Sequence, residues 1–155
     1  MKKGTQEDVS WMLDAIKGQT ARPKPASRPL RILVVDDEEP VRKFVDRVLK
    51  DAGFETLTAG GGAEAIEIAA GMQQPLDLLV TDVMMPQMTG NELARRLRQD
   101  ERSLKVLYLT GYSDQLFKDK VTLWQDEAFL DKPCSVKGLL QAISQLFVGS
   151  PDLPA

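Results

Sequence analysis

Short apolar runs alternate with longer amphipathic segments along most of this chain. The runs are rich in β-branched and aliphatic residues, and they predict five strands at residues 32–35, 54–58, 78–81, 106–109 and 128–130. The amphipathic segments repeat their apolar residues every three to four positions, and they predict helices at residues 39–52, 63–72, 91–100, 113–121 and 135–147. The segment at 113–121 has the poorest pattern of the five. The chain therefore predicts a β–α unit repeated five times.

The order of these elements predicts the class of fold. Strands that alternate with helices imply parallel pairing with right-handed crossover connections. Continuous apolar runs such as ILVV and LLV are typical of strands that are covered on both faces. We therefore predict an α/β fold, a doubly wound (βα)5 sandwich around a five-stranded parallel sheet.

The two ends of the chain have a different composition from its centre. Residues 5–18 place apolar side chains on one face of a helix: Val9, Met12, Leu13 and Ile16. Residues 19–29 hold three prolines among polar residues, which predicts an extended linker. We expect an N-terminal helix and linker at 1–29, a folded domain at 30–149 and a short tail at 150–155. Whether this helix docks on its own domain, on a second copy or on a kinase, or stays undocked, is open at this point.

Charge and cysteine content limit which partners the protein is expected to bind and in which cellular compartment it is expected to lie. The formal net charge is -3, and residues beyond 29 carry fourteen basic against twenty acidic side chains. An acidic domain argues against nucleic-acid binding. The single cysteine, Cys134, cannot form a disulfide within the chain, and no apolar run is long enough for a signal sequence or a membrane span. We expect a cytoplasmic protein with no membrane contact.

The sequence contains no histidine. This absence excludes Ser–His and Cys–His nucleophiles, histidine metal ligands and a phosphohistidine on this chain. Its chemistry must therefore use carboxylates, hydroxyls and amines.

Polar residues stand at the ends of the predicted strands, where α/β sheets bind their ligands. These residues are Asp36 and Asp37 after the first strand, Asp82 after the third, Thr110 after the fourth and Lys132 after the fifth. Clustered carboxylates repel one another unless a cation neutralises them, and oxygen ligands suit Mg²⁺. A lysine and a hydroxyl can bind the oxygens of a phosphoryl group beside that metal. A carboxylate is then the expected nucleophile, and Asp82, central in the sheet, is the best candidate.

Four segments, VVDDEEPVRK, TDVMMPQMTG, LYLTGYSD and FLDKP, resemble the motifs of response regulator receiver domains, in register from about residue 30 to 148. The resemblance implies a flavodoxin-like sheet of order 2-1-3-4-5. It implies that Asp82 takes a phosphoryl group from the phosphohistidine of a sensor histidine kinase or a histidine phosphotransfer protein. It also implies that Asp37, Asp82 and the backbone carbonyl of Met84 bind Mg²⁺ directly, while Asp36 acts mainly through water.

The same resemblance implies a switch. The hydroxyl of Thr110 moves to the phosphate, Lys132 pairs with it, and the aromatic ring of Phe129 swings inward. Phe129 as an ordinary core residue is the competing interpretation. A downstream protein would read the change on the face formed by the fourth helix, the fifth strand and the fifth helix, and a homodimer is an open alternative.

We expect a signalling domain that phosphorylates and dephosphorylates only itself, and not an enzyme with a metabolic substrate. We expect no effector domain after Phe147, so that output runs through protein contacts or phosphate relay. A single-domain response regulator is favoured by the start at Met1, and a receiver cut from a hybrid histidine kinase is the alternative. An aspartyl-phosphate phosphatase fits less well, because it would need a D-x-D motif where this chain has DDEE. An interaction module that is not phosphorylated would be expected to have lost Asp82, Lys132 or the acidic pair.

Overall fold

The computed structural model describes residues 28–111 and 126–148. Within these ranges the elements are β1 (Arg31–Val35), α1 (Glu39–Asp51), β2 (Glu55–Ala59), α2 (Gly62–Gly71), β3 (Leu78–Asp82), α3 (Gly90–Leu97), β4 (Lys105–Thr110), β5 (Glu127–Asp131) and α4 (Val136–Val148). The predicted helices at 5–18 and 113–121, the tail at 150–155 and most of the predicted linker lie outside the described residues.

All five strands belong to one parallel sheet of order β2-β1-β3-β4-β5. The predicted doubly wound α/β sandwich and its strand order are thus confirmed. The central strand β3 is buried along its whole length, whereas residues on the edge strand β2 alternate between exposed and partly buried. The strand order reverses between β1 and β3, so the crevice outside their carboxyl ends is where this fold binds its ligands.

The sheet separates two apolar cores. Successive residues of a strand point to opposite faces, so Ile32 and Val34 pack with α1 and α4, and Leu33 and Val35 pack with α2 and α3. Cys134 is half-buried against the α1/α4 core. Burial raises the pKa of its thiol, so the thiol stays protonated near neutral pH.

The predicted bounds of several elements were wrong by one to three residues. The helix predicted at 91–100 ends at Leu97, because the backbone N–H groups of Gln99 and Asp100 donate to carbonyls three residues back, those of Arg96 and Leu97, and no longer continue the α-helical pattern. β3 and β5 each extend to an aspartate beyond their apolar runs. The ladder continues there because Asp82 pairs with Leu109 and Asp131 pairs with Thr110 across the sheet. In the described ranges, no helix is long and apolar enough to cross a membrane.

Candidate functional site at the carboxyl ends of the strands

Three carboxylates meet at the carboxyl ends of β1 and β3. Asp36 and Asp37 follow directly after β1, and Asp82 is the last residue of β3. Their ligand oxygens all lie within 4.8 Å of one another. Asp36 is 0% exposed and Asp82 is 5% exposed, whereas Asp37 faces solvent. Acidic groups buried this close together repel one another unless positive charge is placed beside them.

Asp36 is held by the start of the turn that leads into α1. Its Oδ1 accepts a hydrogen bond of 2.9 Å from the backbone N–H of Glu38, and its carbonyl accepts one of 2.8 Å from Arg42. Its Oδ2 lies 3.1 Å from Nζ of Lys132 but is buried without a properly aligned hydrogen bond. Burial raises the pKa of Asp36, and the Glu38 N–H and the Lys132 charge oppose this rise. A buried carboxylate oxygen without a directed donor suits contact with a cation.

Lys132 supplies positive charge to the cluster from just beyond β5. Its Nζ lies 3.1 Å from Asp36 Oδ2, 3.1 Å from Glu38 Oε1 and 3.5 Å from Asp82 Oδ1. Its backbone N–H donates to the carbonyl of Thr110 at 2.8 Å, which ties the lysine to the end of β4. Burial alone would lower the pKa of Lys132, but the charges of Asp36 and Asp82 outweigh burial and raise it. The amine is therefore fully charged at neutral pH.

Asp82 is the most perturbed acid in the described part of the chain. Burial and, next, the charge of Asp36 raise its pKa from 3.8 to about 7, against the opposing charge of Lys132. Its backbone carbonyl lies against Gly90, the first residue of α3: a Cβ built on that glycine would lie 2.2 Å from the carbonyl oxygen. Only glycine fits this contact, which fixes the backbone of Asp82 against the start of the helix.

Thr110 and Phe129 lie on the β4/β5 side of the site. The buried hydroxyl of Thr110 donates a hydrogen bond of 2.9 Å to Oδ1 of Asp131, the residue opposite it in β5. Phe129 is half-buried, with its ring centroid 5.7 Å from that of Tyr108 and an interplanar angle of 44°. The Phe129 ring packs against the α2/α3 core. In this structure the hydroxyl of Thr110 is hydrogen-bonded to β5, and the ring of Phe129 is partly buried against the core.

The structure brings Asp36, Asp37, Asp82 and Lys132 into one cluster, with Thr110 at the end of the adjacent strand. The side chain of Met84 is 55% exposed, two residues after the last residue of β3, and the role of its carbonyl stays a prediction.

Sequence reasoning missed two contacts, those that Glu38 makes with Lys132 and Asp131 makes with Thr110. Glu38 belongs to the DDEE run, so its position beside the acidic pair was a usable signal. The second contact depends on the β4/β5 register, which no local motif encodes.

The donor set fits a hard divalent cation. All candidate ligand atoms are carboxylate oxygens, the donors that Mg²⁺ prefers, and two of the three carboxylates are buried. The raised pKa values of Asp36 and Asp82 show that their ionised forms are poorly compensated by protein groups alone. A divalent cation would supply the missing charge.

The strand order is that of flavodoxin-like folds, which bind their ligands at the switch point between β1 and β3, where the acidic cluster lies. Residues 32–144 match the family model described as the response regulator receiver domain. The chain therefore belongs to the receiver domains of two-component signalling.

Two curated relatives illustrate the range of this family. The chain is 31% identical over 120 residues to the response regulator receiver protein CpdR of Brucella abortus (strain 2308), covering 77% of this chain and 98% of CpdR. It is 33% identical over 115 residues to the sensor kinase CckA of the same organism, covering 74% of this chain but only 12% of CckA. Among solved structures it is similar to the response regulator protein TrrA from Thermotoga maritima in complex with Mg²⁺–BeF. That match has a TM-score of 0.64 and 29% identity, and covers 76% of this chain and 98% of TrrA.

Proposed function

We propose that this receiver domain accepts a phosphoryl group on Asp82 from the phosphohistidine of a sensor kinase or a histidine phosphotransfer protein. One observation carries the proposal: Asp82 ends the central strand in a cluster of three carboxylates, with Nζ of Lys132 3.5 Å from its Oδ1. This arrangement combines a nucleophile with the positive charge that an incoming phosphoryl group needs. The absence of histidine in the chain places the phosphohistidine on the partner.

The transfer needs no further nucleophile. A carboxylate oxygen of Asp82 forms a bond to phosphorus while the bond between phosphorus and the histidine nitrogen of the partner breaks. The electron pair of that bond returns to the imidazole, which takes a proton from solvent. Lys132 stabilises the charge on the phosphoryl oxygens, because its ammonium group already lies within 3.5 Å of the acceptor carboxylate.

Asp36, Asp37, Asp82 and the backbone carbonyl of Met84 would hold Mg²⁺. When bound, the ion supplies positive charge beside the phosphoryl oxygens. Asp37 is the exposed member of the set and lies on the solvent side of the cluster.

The phosphorylated state would be read through the β4/β5 side. Phosphorylation adds nearly two negative charges at Asp82. Thr110 would leave Asp131 to donate to the phosphate, Lys132 would pair with the phosphate, and the ring of Phe129 would move further inward. A downstream protein, or a second copy of the chain, would then bind the side of the domain that carries β5 and α4.

The test is the mass of the intact protein after incubation with acetyl phosphate and Mg²⁺. We expect a gain of about 80 Da, the mass of one phosphoryl group, which is lost when EDTA is present. Asp82→Asn should prevent the gain, whereas Asp77→Asn, an aspartate that precedes β3 at the other edge of the sheet, should not. If the wild type gains no mass, the protein is an interaction module that is not phosphorylated. If Asp82→Asn still gains mass, another residue is the phosphorylated one.

We further propose that the chain acts as a single-domain regulator, and the 98% coverage of CpdR supports this. The similarity to CckA favours a second candidate, the receiver of a hybrid histidine kinase. Immunoblotting of the native protein in its own cells separates them. A band near the 17.2 kDa of this chain supports the single-domain regulator, and a much larger band supports the hybrid kinase.

A further inference from the structure

A groove of 520 Å³ lies between the C-terminal halves of α2 and α3. Buried Leu76 and Leu97 line it, as do the half-buried Ile66, Ala69 and Met72. Its charged members are Arg95, Arg96, Asp100 and Glu101. Half of the lining residues are apolar and half are polar or charged, a mixture that can bind an amphipathic helix through its apolar face and its charged flanks.

The groove is at the opposite edge of the sheet from Asp82. Helices of β–α units run antiparallel to their strands, so the C-terminal halves of α2 and α3 lie beside the amino ends of the strands. Leu76, which lines the groove, precedes the first residue of β3, whereas Asp82 is its last residue. Whatever fills the groove therefore leaves the phosphorylation site uncovered.

The first described residues, from Arg28 onwards, contact residues at or next to the lining of this groove. The guanidinium of Arg28 donates to both carboxylate oxygens of Asp77, at 2.8 Å and 3.2 Å. Nη1 of Arg31 donates to Oε1 of Gln74 at 2.7 Å, and Gln74 itself lines the groove. These contacts fix the point from which residues 1–27 extend.

We propose that the amphipathic segment at residues 5–18 of this same chain docks in the groove. The nine residues 19–27 span up to about 30 Å when extended, whereas the part of α2 from Ile66 to Gly71 that borders the groove is only about 9 Å long. The linker is therefore long enough for the segment to lie along either helix. Tethering raises the effective concentration of the segment to the order of millimolar, so a modest affinity is sufficient.

The chemistry of the segment matches the groove. Its apolar face, with Val9, Met12, Leu13 and Ile16, corresponds to the apolar lining. A helix of this length is not stable in isolation, so it would need a surface on which to fold. The segment carries three acidic residues and one basic residue, and Arg95 makes no ion pair with any residue that the structure describes. This docking follows from the fold and the groove, and it does not depend on phosphorylation of Asp82.

Paramagnetic relaxation in the full chain tests the proposal. A nitroxide is attached at Ser10→Cys in a chain that also carries Cys134→Ser, so that only one thiol is labelled. The methyl signals of Ile66 and Met72 in the groove should lose most of their intensity. Those of Val48 and Ile143, which belong to the core on the other face of the sheet, should be unchanged.

Two matched variants and one mixing experiment complete the test. Ala69→Arg blocks the groove wall and should restore the groove signals, whereas Ala63→Arg, the same change at an exposed position of α2, should not. Groove signals that keep their intensity in the parent chain, or stay weak in Ala69→Arg, would overturn the proposal. In a mixture of spin-labelled chain and isotope-labelled chain without nitroxide, equal intensity loss would assign the groove to a second copy and would also overturn it.

Discussion

The hydrogen bond from Thr110 to Asp131 gives one side chain two competing partners. In this structure the hydroxyl donates to a carboxylate of β5 at 2.9 Å. In the proposed phosphorylated state it would donate to the phosphate instead. The energy of the first bond then opposes the second, so Asp131 sets part of the equilibrium between the two states.

We predict that Asp131→Ala favours the phosphorylated arrangement. Loss of one hydrogen bond of about 1 kcal/mol corresponds to an affinity for beryllofluoride, measured with Mg²⁺ present, that is about fivefold higher. Asp131→Asn keeps an oxygen acceptor but removes the charge, so it should give a smaller increase. Titration followed by NMR measures both affinities.

The matched control for this prediction is the same substitution in a Thr110→Ala background. If Asp131 acts through the threonine hydroxyl, Asp131→Ala should change nothing further there. An undiminished increase would mean that Asp131 acts through its charge alone.

The residues of the site differ in how visible they were in the sequence. Asp36 and Asp82 come directly after predicted strands and Lys132 comes one residue later, after Asp131, so the position of each could be derived from parallel strands whose carboxyl ends share an edge. The partnership of Thr110 with Asp131 could not be derived, because it requires the β4/β5 register and the rotamer of the threonine. Burial, which dominates the shifted pKa of Asp82, likewise belongs to the folded molecule.

At the level of elements, helices α2 and α3 are held at their amino-terminal ends by glycine contacts. A Cβ on Gly62 would lie 2.5 Å from Sδ of Met88, and a Cβ on Gly90 would lie 2.2 Å from the carbonyl oxygen of Asp82. The first contact involves the far end of a flexible side chain, which can move. The second involves backbone, which cannot move without displacing the acceptor residue.

We predict that Gly90→Ala lowers the free energy of unfolding by about 2 kcal/mol or more, because the new methyl group overlaps a fixed carbonyl. Gly71→Ala is the control: it is also helical, and no atom lies within 4 Å of its Cβ position. There we expect a gain of up to about 1 kcal/mol from helix propensity. Urea unfolding of both variants measures the two changes, and equal stability of the two would contradict the packing argument.

The elements themselves were largely predictable, and their ends were not. Apolar runs at residues 32–35 and 78–81 identified the two central strands, because strands covered on both faces have no polar face to confuse the pattern. The edge strand β2 was offset by one residue and the edge strand β5 was one residue longer at each end, since pairing with a neighbour decides where a ladder stops. The early end of α3 depends on the tighter backbone hydrogen bonds of Gln99 and Asp100, which are not visible in a helical pattern.

At the scale of the whole molecule, the burial of Asp82 makes stability depend on pH. Asp82 has a pKa near 3.8 in an unfolded chain and about 7 in the folded protein. The folded state therefore holds its proton more tightly, which favours folding at low pH. This contribution is lost as the pH rises from about 4 to 7, because the unfolded chain then ionises at lower cost.

We predict that Asp82→Asn is more stable than the wild type at pH 8 when EDTA removes metal ions. The difference is at most about 4 kcal/mol, from a pKa rise of about three units at 1.36 kcal/mol each, and it should vanish towards pH 4. Thermal unfolding at several pH values measures it. Millimolar Mg²⁺ should stabilise the wild type more than the variant, since the variant lacks one ligand charge. A wild type that is equally stable at pH 4 and pH 8 without metal would contradict this prediction.

The contact of Gly90 with Asp82 makes one side of the site rigid, whereas the opposite side can move. On the α3 side, the backbone of Gly90 lies against the backbone carbonyl of Asp82, and no space is left for either to shift. On the opposite side, a threonine hydroxyl is held by a single exchangeable bond to Asp131. In the proposed phosphorylated state, the added group would therefore displace the β4 and β5 side, where one hydrogen bond can be exchanged, and not the α3 side. The absence of a Cβ at Gly90 thus sets the direction in which the site can move.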